Sequence, residues 1–478
     1  MLTAAGVLLP VASLADDWPP VLDTKNPVTQ SSDGRQIERY WHGPRAGWAY
    51  PDAPAEWACP SEQETGSRQQ NHNSFYLVSP KVPHDNAPLL VVLHSANSTA
   101  FDYLGLDCLG RQFQPHDDTA TAMTRPPDDA YTLFLNSTNG EWWGWSEAFS
   151  NSKKNIHSAP ATERRVLDTI EWVVEQRKID RNRIYLTGVS MGGCGSLGIG
   201  MHHGDIFAAL RVIVPAGTGY ANYSFGGFAP SPAFDASSAD RDAWVRRASG
   251  EGLPDPPVIV DCSSQVDNWS ATQPALVTAA VAGHLPLILG WGPFGHSGFG
   301  LAIDKYPACA VVDAFPWMEI RKNEAYPVFT HASCDDVSPW LNTVVTYTGS
   351  GQLNAWFRWK SEVDTTSDFR LQLWIAHPAT TSPIGPPRGQ DTMAVGPLNS
   401  QPSQGTLPGP LPQTATADVT LRRLQQFHVQ PGHSYAWKLT RNGEAVASGN
   451  TQPGGAGLLT IPQIPLTTEP SELTLTAD

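Results

Sequence analysis

The stretch Arg183-Ile184-Tyr185-Leu186-Thr187-Gly188-Val189-Ser190-Met191-Gly192-Gly193 constrains the fold of this chain more than any other. An apolar run of strand-forming residues enters Gly-x-Ser-x-Gly and leaves into small residues that suit a helix. A strand that hands over to a helix at one serine has to bend sharply. A side chain at 188 or 192 would then collide with the neighbouring backbone, which explains glycine at both positions. The bend holds the Ser190 hydroxyl clear of the strand end, where it can meet another molecule. A bare Gly-x-Ser-x-Gly arises by chance, and an ordinary turn with a capping serine is its bland reading. The strand and helix signals on either side make it informative.

Those signals recur. From about Phe75 to Phe299 short apolar runs alternate with longer mixed segments, the pattern of βαβ units and a parallel sheet. Strands are expected at Phe75 to Val78, Leu89 to His94, Tyr131 to Asn136, Arg183 to Thr187, Ala209 to Pro215, Pro257 to Asp261 and Leu285 to Trp291. Between the third and fourth, Val166, Ile170, Val173 and Val174 recur at helical spacing and predict a helix over Glu163 to Lys178 with one apolar face. The expected fold class is α/β: a mostly parallel sheet with helices on both faces, over residues 16–322. Beyond Lys322 the alternation stops, and Leu353 to Lys360 and Phe369 to Ala376 read as strands of a smaller all-β, sandwich-like domain over 323–478. Further strands are expected at Gln426 to Val429, Ser434 to Leu439 and Leu458 to Ile461, with turns at Pro431-Gly432 and Asn442-Gly443. The stretch from Pro378 to Pro412, rich in Pro, Gly, Ser and Thr, reads as a long loop.

A length of 478 residues fits two domains better than one core. The net charge of -15 leaves no basic footprint for a phosphate backbone and argues against a nucleic-acid partner. Met1 to Ala15 is a short apolar run closing on Ser13-Leu14-Ala15, the pattern of a secretory signal, though no Lys or Arg precedes it. A secreted or periplasmic location is expected. No stretch reaches the roughly 20 apolar residues of a spanning helix, so no membrane span is expected. The six cysteines Cys59, Cys108, Cys194, Cys262, Cys309 and Cys334 could form up to three bridges in such a compartment. No Cys/His cluster has zinc-site spacing, and neither a metal nor a cofactor is expected.

A serine hydroxyl is a poor nucleophile until a base takes its proton. After Leu285 to Trp291, the loop Gly292-Pro293-Phe294-Gly295-His296-Ser297-Gly298 presents His296 for that task. The acid that would orient it belongs on the loop after Pro257 to Asp261, where Asp267 is favoured and Asp261 stays as the alternative. An oxyanion would need two main-chain donors, Met191 N-H and one from the loop after Leu89 to His94, Ser95 or Ala96. Trp142, Trp143 and Trp145, in the loop after Tyr131 to Asn136, suggest an aromatic substrate wall, against the equal alternative that they pack the loop down.

Taken together, Leu89 to Asn97, Thr187 to Gly193, Asp267 and Gly295-His296 make roughly half the chain, Phe75 to Phe299, resemble the polyhydroxybutyrate depolymerase and feruloyl or acetylxylan esterase group of α/β-hydrolases. The resemblance implies extracellular cleavage of carboxylic esters, on a small-molecule or polymeric substrate such as an esterified polysaccharide. It implies the triad Ser190, Asp267, His296 and no cofactor. Two other readings stand beside it: a serine peptidase of the prolyl oligopeptidase type, which shares elbow and triad order, and a binding protein on a catalytically dead hydrolase scaffold.

Overall fold

Runs in which every residue is apolar suit strands covered on both faces, and Leu89–Leu93 is one, buried along its whole length. The structure is a computed structural model that describes residues 20–23, 29–31, 34–42, 74–96, 98–104, 126–137, 143, 161–201, 203–215, 255–267, 270, 273–296, 307–336, 350–376, 412–454 and 457–477. In chain order the strands begin with β1 (Val21–Leu22), β2 (Thr29–Gln30), β3 (Gln36–Trp41), β4 (Ser74–Val78), β5 (Leu89–Leu93), β6 (Tyr131–Leu135) and β7 (Ile184–Val189). They continue with β8 (Ala209–Ile213), β9 (Val258–Ser264), β10 (Leu287–Gly292), β11 (Tyr326–Thr330) and β12 (Gly351–Leu353). All but β11 join one eleven-stranded sheet in the order β1-β3-β4-β6-β5-β7-β8-β9-β10-β12, with β2 paired to β3. From β6 to β10 every neighbouring pair is parallel, so the carboxyl ends of β7, β9 and β10 share one edge. In open α/β sheets that edge is where ligands bind.

The period of two along each strand divides the core. On one face Leu89, Val91, Leu93, Ile184 and Leu186 meet the helices α2 (Ala161–Arg177), α3 (Met191–Gly200) and α4 (Gln273–Gly283). Val166, Ile170, Val173 and Val174 of α2 are all buried there, each contributing roughly 2 kcal/mol. On the other face Leu90, Val92, Tyr185 and Val189 pack toward α1 (Ala100–Tyr103) and α5 (Pro307–Asp313). That second core does not stop at the sheet; through Phe315 and Trp317 it runs into Phe357, Phe369, Leu373 and Val419.

These last residues belong to two antiparallel sheets. One is β11, β15 (Thr414–Arg422) and β18 (Thr460–Thr467). The other takes β13 (Phe357–Asp364), β14 (Asp368–Ile375), β19 (Ser471–Ala477), β16 (Tyr435–Arg441) and β17 (Glu444–Thr451), in that order. The hairpin β16–β17 turns at Asn442 and Gly443, both at positive φ, as a tight primed turn requires. Two arginines dock this half onto the amino-terminal edge of the large sheet. Arg422 donates to Asp255 Oδ1 at 2.8 Å and to the carbonyls of Gly283 and His284 at 2.7 Å each, while Arg423 reaches the carbonyls of Phe207, Ala208 and Pro256.

Three expectations change. Leu353 to Lys360 is not one strand, because Asn354 takes φ 59 and its Nδ2 donates to the carbonyls of Leu287 and Phe329, both at 3.0 Å. The break sends β12 back to pair with β10, so the large sheet recruits residues from beyond the expected boundary after Lys322. Gln426 to Val429 forms no strand, since the Asp364 carboxylate takes the N-H groups of Gln425, Gln426 and Phe427. Cys194, Cys262, Cys309 and Cys334 are thiols, not bridges: Cys262 on β9 and Cys309 on α5 are hydrogen-bonded side by side without a disulfide, and burial pushes the Cys262 pKa up. Residues 1–15, 377–411, Cys59 and Cys108 lie outside the described residues. Among the described residues no helix is long and apolar enough to cross a membrane.

Candidate active site

The bend after β7 is made by exclusion. A Cβ on Gly188 would lie 2.3 Å from Gly192 C and O; one on Gly192 would lie 1.9 Å from the Leu93 carbonyl oxygen. The backbones of β5, β7 and α3 therefore touch, and Ser190 is forced to φ 58, ψ -117. Its N-H donates to Ile213 O at 2.9 Å, and its carbonyl accepts the first helical bond, from Cys194 N, also at 2.9 Å. The backbone is pinned on both sides of a strained residue. The residue stays 8% exposed, at the carboxyl edge of the sheet.

His296 arrives from the loop after β10. Its Nε2 lies 2.7 Å from Ser190 Oγ and its Nδ1 lies 2.6 Å from Asp267 Oδ2. With the carboxylate holding the Nδ1 proton, Nε2 is left as the lone pair that faces the hydroxyl. The Asp267 carboxylate is 7% exposed, and the imidazole is 39% exposed, which leaves the ring open to an incoming molecule. The structure therefore brings Ser190, His296 and Asp267 together in one chain of hydrogen bonds.

Asp261, the alternative acid, faces elsewhere. It is fully buried, accepts from Ser263 Oγ at 2.7 Å and from Gln273 Nε2 at 2.9 Å, and burial pushes its pKa up to about 7 against those two bonds. Gln273 also bonds Ser263 Oγ. The three side chains tie the end of β9 to the start of α4, beneath the loop that carries Asp267.

The two loops are also joined to each other. Ser264 Oγ accepts from Gly295 N at 2.8 Å, and Gln265 N donates to Gly292 O at 3.2 Å. Gly295 takes φ 70 with nothing within 4 Å of its Cβ position, so the backbone conformation, not space, calls for glycine. None of Ser264, Ser263 or Gln273 was singled out from the sequence. Ser264 stood in the loop expected after Pro257 to Asp261, but its partner is 31 residues further on.

Met191 N-H opens α3, where the first amides have no intrahelical acceptor. Of the two other expected donors, Ser95 is corrected: its N-H donates to Tyr103 Oη at 2.9 Å, which leaves Ala96. The loop is braced from behind. His94 Nε2 accepts from Ser137 N at 3.0 Å, so Nδ1 carries the proton and donates to Ser95 O at 2.8 Å. Trp143 is corrected as well. It is 1% exposed, donates from Nε1 to His94 O at 3.1 Å, and lies against α3 so closely that a Cβ on Gly195 would come within 2.6 Å of it. It packs the loop down and forms no wall. Trp142 and Trp145 lie outside the described residues. Among the described residues, no group of three His, Cys, Asp or Glu side chains could hold a metal.

No protein-family model and no curated protein sequence matches the chain. Solved structures do. A fluorophosphonate-binding serine hydrolase of Staphylococcus aureus is 14% identical, with a TM-score of 0.34 over 51% of this chain and 91% of that one. The acetyl xylan esterase from Aspergillus awamori is 14% identical, with a TM-score of 0.32 over 45% and 77%. An S-formylglutathione hydrolase from Agrobacterium tumefaciens is 13% identical, with a TM-score of 0.34 over 57% and 93%.

Proposed function

We propose that this protein is a serine hydrolase that cleaves carboxylic esters through an acyl-enzyme formed on Ser190. One observation carries the reading: the unbroken sequence of short contacts from Ser190 Oγ through the His296 imidazole to the Asp267 carboxylate. His296 Nε2 takes the hydroxyl proton as Oγ attacks the ester carbonyl, and Asp267 stabilises the imidazolium that results. The charge that develops on the carbonyl oxygen is met by the Met191 amide and, from the facing loop, the Ala96 amide. Imidazolium returns the proton to the departing alkoxide, which leaves as the alcohol. Water then enters, His296 removes its proton, and the carboxylic acid departs as Ser190 regains its own.

Feruloyl or acetyl esters of polysaccharides, or polyester chains of the polyhydroxyalkanoate kind, are the proposed substrates, and they rest on the resemblance of the elbow and histidine motifs. Secretion or periplasmic export is proposed on Met1 to Ala15 alone. A fluorophosphonate probe should label the wild-type protein and not Ser190→Ala. That variant should hydrolyse p-nitrophenyl acetate slower by about 10⁶-fold, as loss of the nucleophile does in other triads. Wild-type turnover in Ser190→Ala would end the proposal. A panel of acetyl, feruloyl and hydroxyalkanoate esters alongside peptides ranks the acyl groups and separates esterase from peptidase.

A further inference from the structure

At the opposite end of β7 from Ser190, a cavity of about 660 Å³ opens between the large sheet and β13–β14. Arg183 stands at its edge, seven residues before the serine, so roughly 20 Å of strand separates the two places. Its size is that of a small-molecule site. Among the described residues its walls include Phe315, Tyr326, Trp359 and Trp374.

The cavity holds a charge that no described residue answers. Arg358 is 3% exposed, yet among the described residues no carboxylate pairs with it. Its polar contacts are two bonds from Nη1, to Ala355 O at 2.7 Å and Phe357 O at 2.8 Å, and the guanidinium carbon lies 4.8 Å from the centre of the Phe315 ring. Among the described residues, Nε and Nη2 have no acceptor. Arg358 lines the cavity, so these are the donors it can offer there. Burial alone pulls this arginine down to about 9, which still leaves it charged at neutral pH.

The other charges on the walls are Arg183, Arg321 and Lys360 against Glu319 and Glu324. Arg183 and Arg321 share Asp180, Arg321 also lies 3.8 Å from Glu324, and Lys360 pairs with Glu362. Burial raises the pKa of both Glu319 and Glu324, which weakens the negative side of the balance. Arg183, Arg321 and Lys360 thus each have a carboxylate within reach, and Arg358 is the wall cation left without one among the described residues. Buried charges in folded proteins are paired, and a planar guanidinium with two free donors matches a carboxylate.

We infer that this cavity is a second binding site, separate from the triad, for an organic acid with a flat aromatic body, whose carboxylate pairs with Arg358 while its ring packs among Phe315, Trp359 and Trp374. The inference stands whether or not Ser190 is a nucleophile.

Calorimetric titration of the full chain with 2-naphthoate, and separately with 2-naphthamide, tests it. One saturable site for naphthoate, with the uncharged amide at least tenfold weaker, is expected. Arg358→Met should weaken naphthoate at least tenfold and leave the amide unchanged, Arg358→Lys should restore part of the loss, and Trp374→Ala should weaken both probes. Should Arg358→Met fail to fold, Trp374→Ala and the comparison of the two probes on the wild-type chain still decide. Equal affinity for acid and amide, no saturable binding, or naphthoate binding that survives in folded Arg358→Met or Trp374→Ala would overturn the inference.

Discussion

At the elbow, Ser190 is positioned by contacts in which one added methyl group has nowhere to go, whereas the loops that bring it an acid and a base are positioned by side-chain hydrogen bonds across open turns. Gly188 and Gly192 lie backbone to backbone with each other and with Leu93. Asp267 and His296 instead hang on Ser264, Gln273 and each other, and a hydrogen bond can lengthen or be replaced. Steric exclusion admits one geometry. A hydrogen-bonded clamp admits several, of graded quality. The first region should therefore fail outright when altered, and the second by degrees.

The largest effect is expected at Gly192. An alanine there would need the Leu93 carbonyl, 1.9 Å away, to move, and β5 is packed on both faces. We expect Gly192→Ala to lose at least about 4 kcal/mol of stability, the range of exceptional single substitutions, and all measurable hydrolysis with it. Soluble yield and thermal unfolding decide; a folded, active Gly192→Ala would show that the elbow yields after all.

Asp267→Asn belongs to the second region and should separate geometry from chemistry. The amide keeps the shape but stabilises the wrong imidazole tautomer, so kcat should fall about 10⁴-fold. Thermal unfolding should stay within about 2–4 °C of wild type, since little packing changes. A loss below tenfold would mean that another group orients His296.

Part of this contrast was legible before the fold was known. Steric exclusion leaves its mark at the site itself, as glycine either side of Ser190, and the strand and helix around it follow from local pattern. The acid and base types were legible too, because chain order limits where they stand. Their supports were not. Ser264 holds Gly295 across 31 residues, and Gln273 reaches back to Asp261 from the start of a helix. Nor could sequence tell that Trp143 plugs the space beside Gly195 when a wall on the surface would have the same composition. In the β-rich half, β11, β15, β17 and β19 went unrecognised; β17 is largely exposed, so burial imposes little alternation on it.

Ser264→Ala tests the clamp at intermediate size. It leaves the Gly295 N-H without its acceptor in a partly buried turn, an effect of about 1–3 kcal/mol. If about half of that is felt as misplacement of His296, kcat falls roughly tenfold, with KM nearly unchanged and Ser264→Thr recovering most of the rate. An unchanged kcat in a folded Ser264→Ala would show that Gly295 alone sets the histidine loop.

The smallest effect on turnover, less than about twofold by the distance of the group from any reacting atom, is expected from Asp261→Asn, and its value lies in stability. Burial holds the Asp261 pKa up at about 7 in the folded chain, well above its ordinary value of 3.8. Between those limits the folded state keeps a proton that the unfolded chain has released, so this group's contribution to stability declines as pH rises from about 4 to about 7 and the full penalty applies above that. Asparagine carries no charge at any pH, and its Nδ2 can donate to Gln273 Oε1, which has no partner now. Asp261→Asn should therefore match wild type near pH 4 and become the more stable protein by pH 8, by at most about 4 kcal/mol, the free-energy equivalent of that displacement. Unfolding curves at the two pH values measure it. A difference that stays constant with pH would mean that Asp261 is ionised in the folded chain and that the tie between β9 and α4 is an ionic one. The second region would then depend on charge both beneath the loop and at the triad.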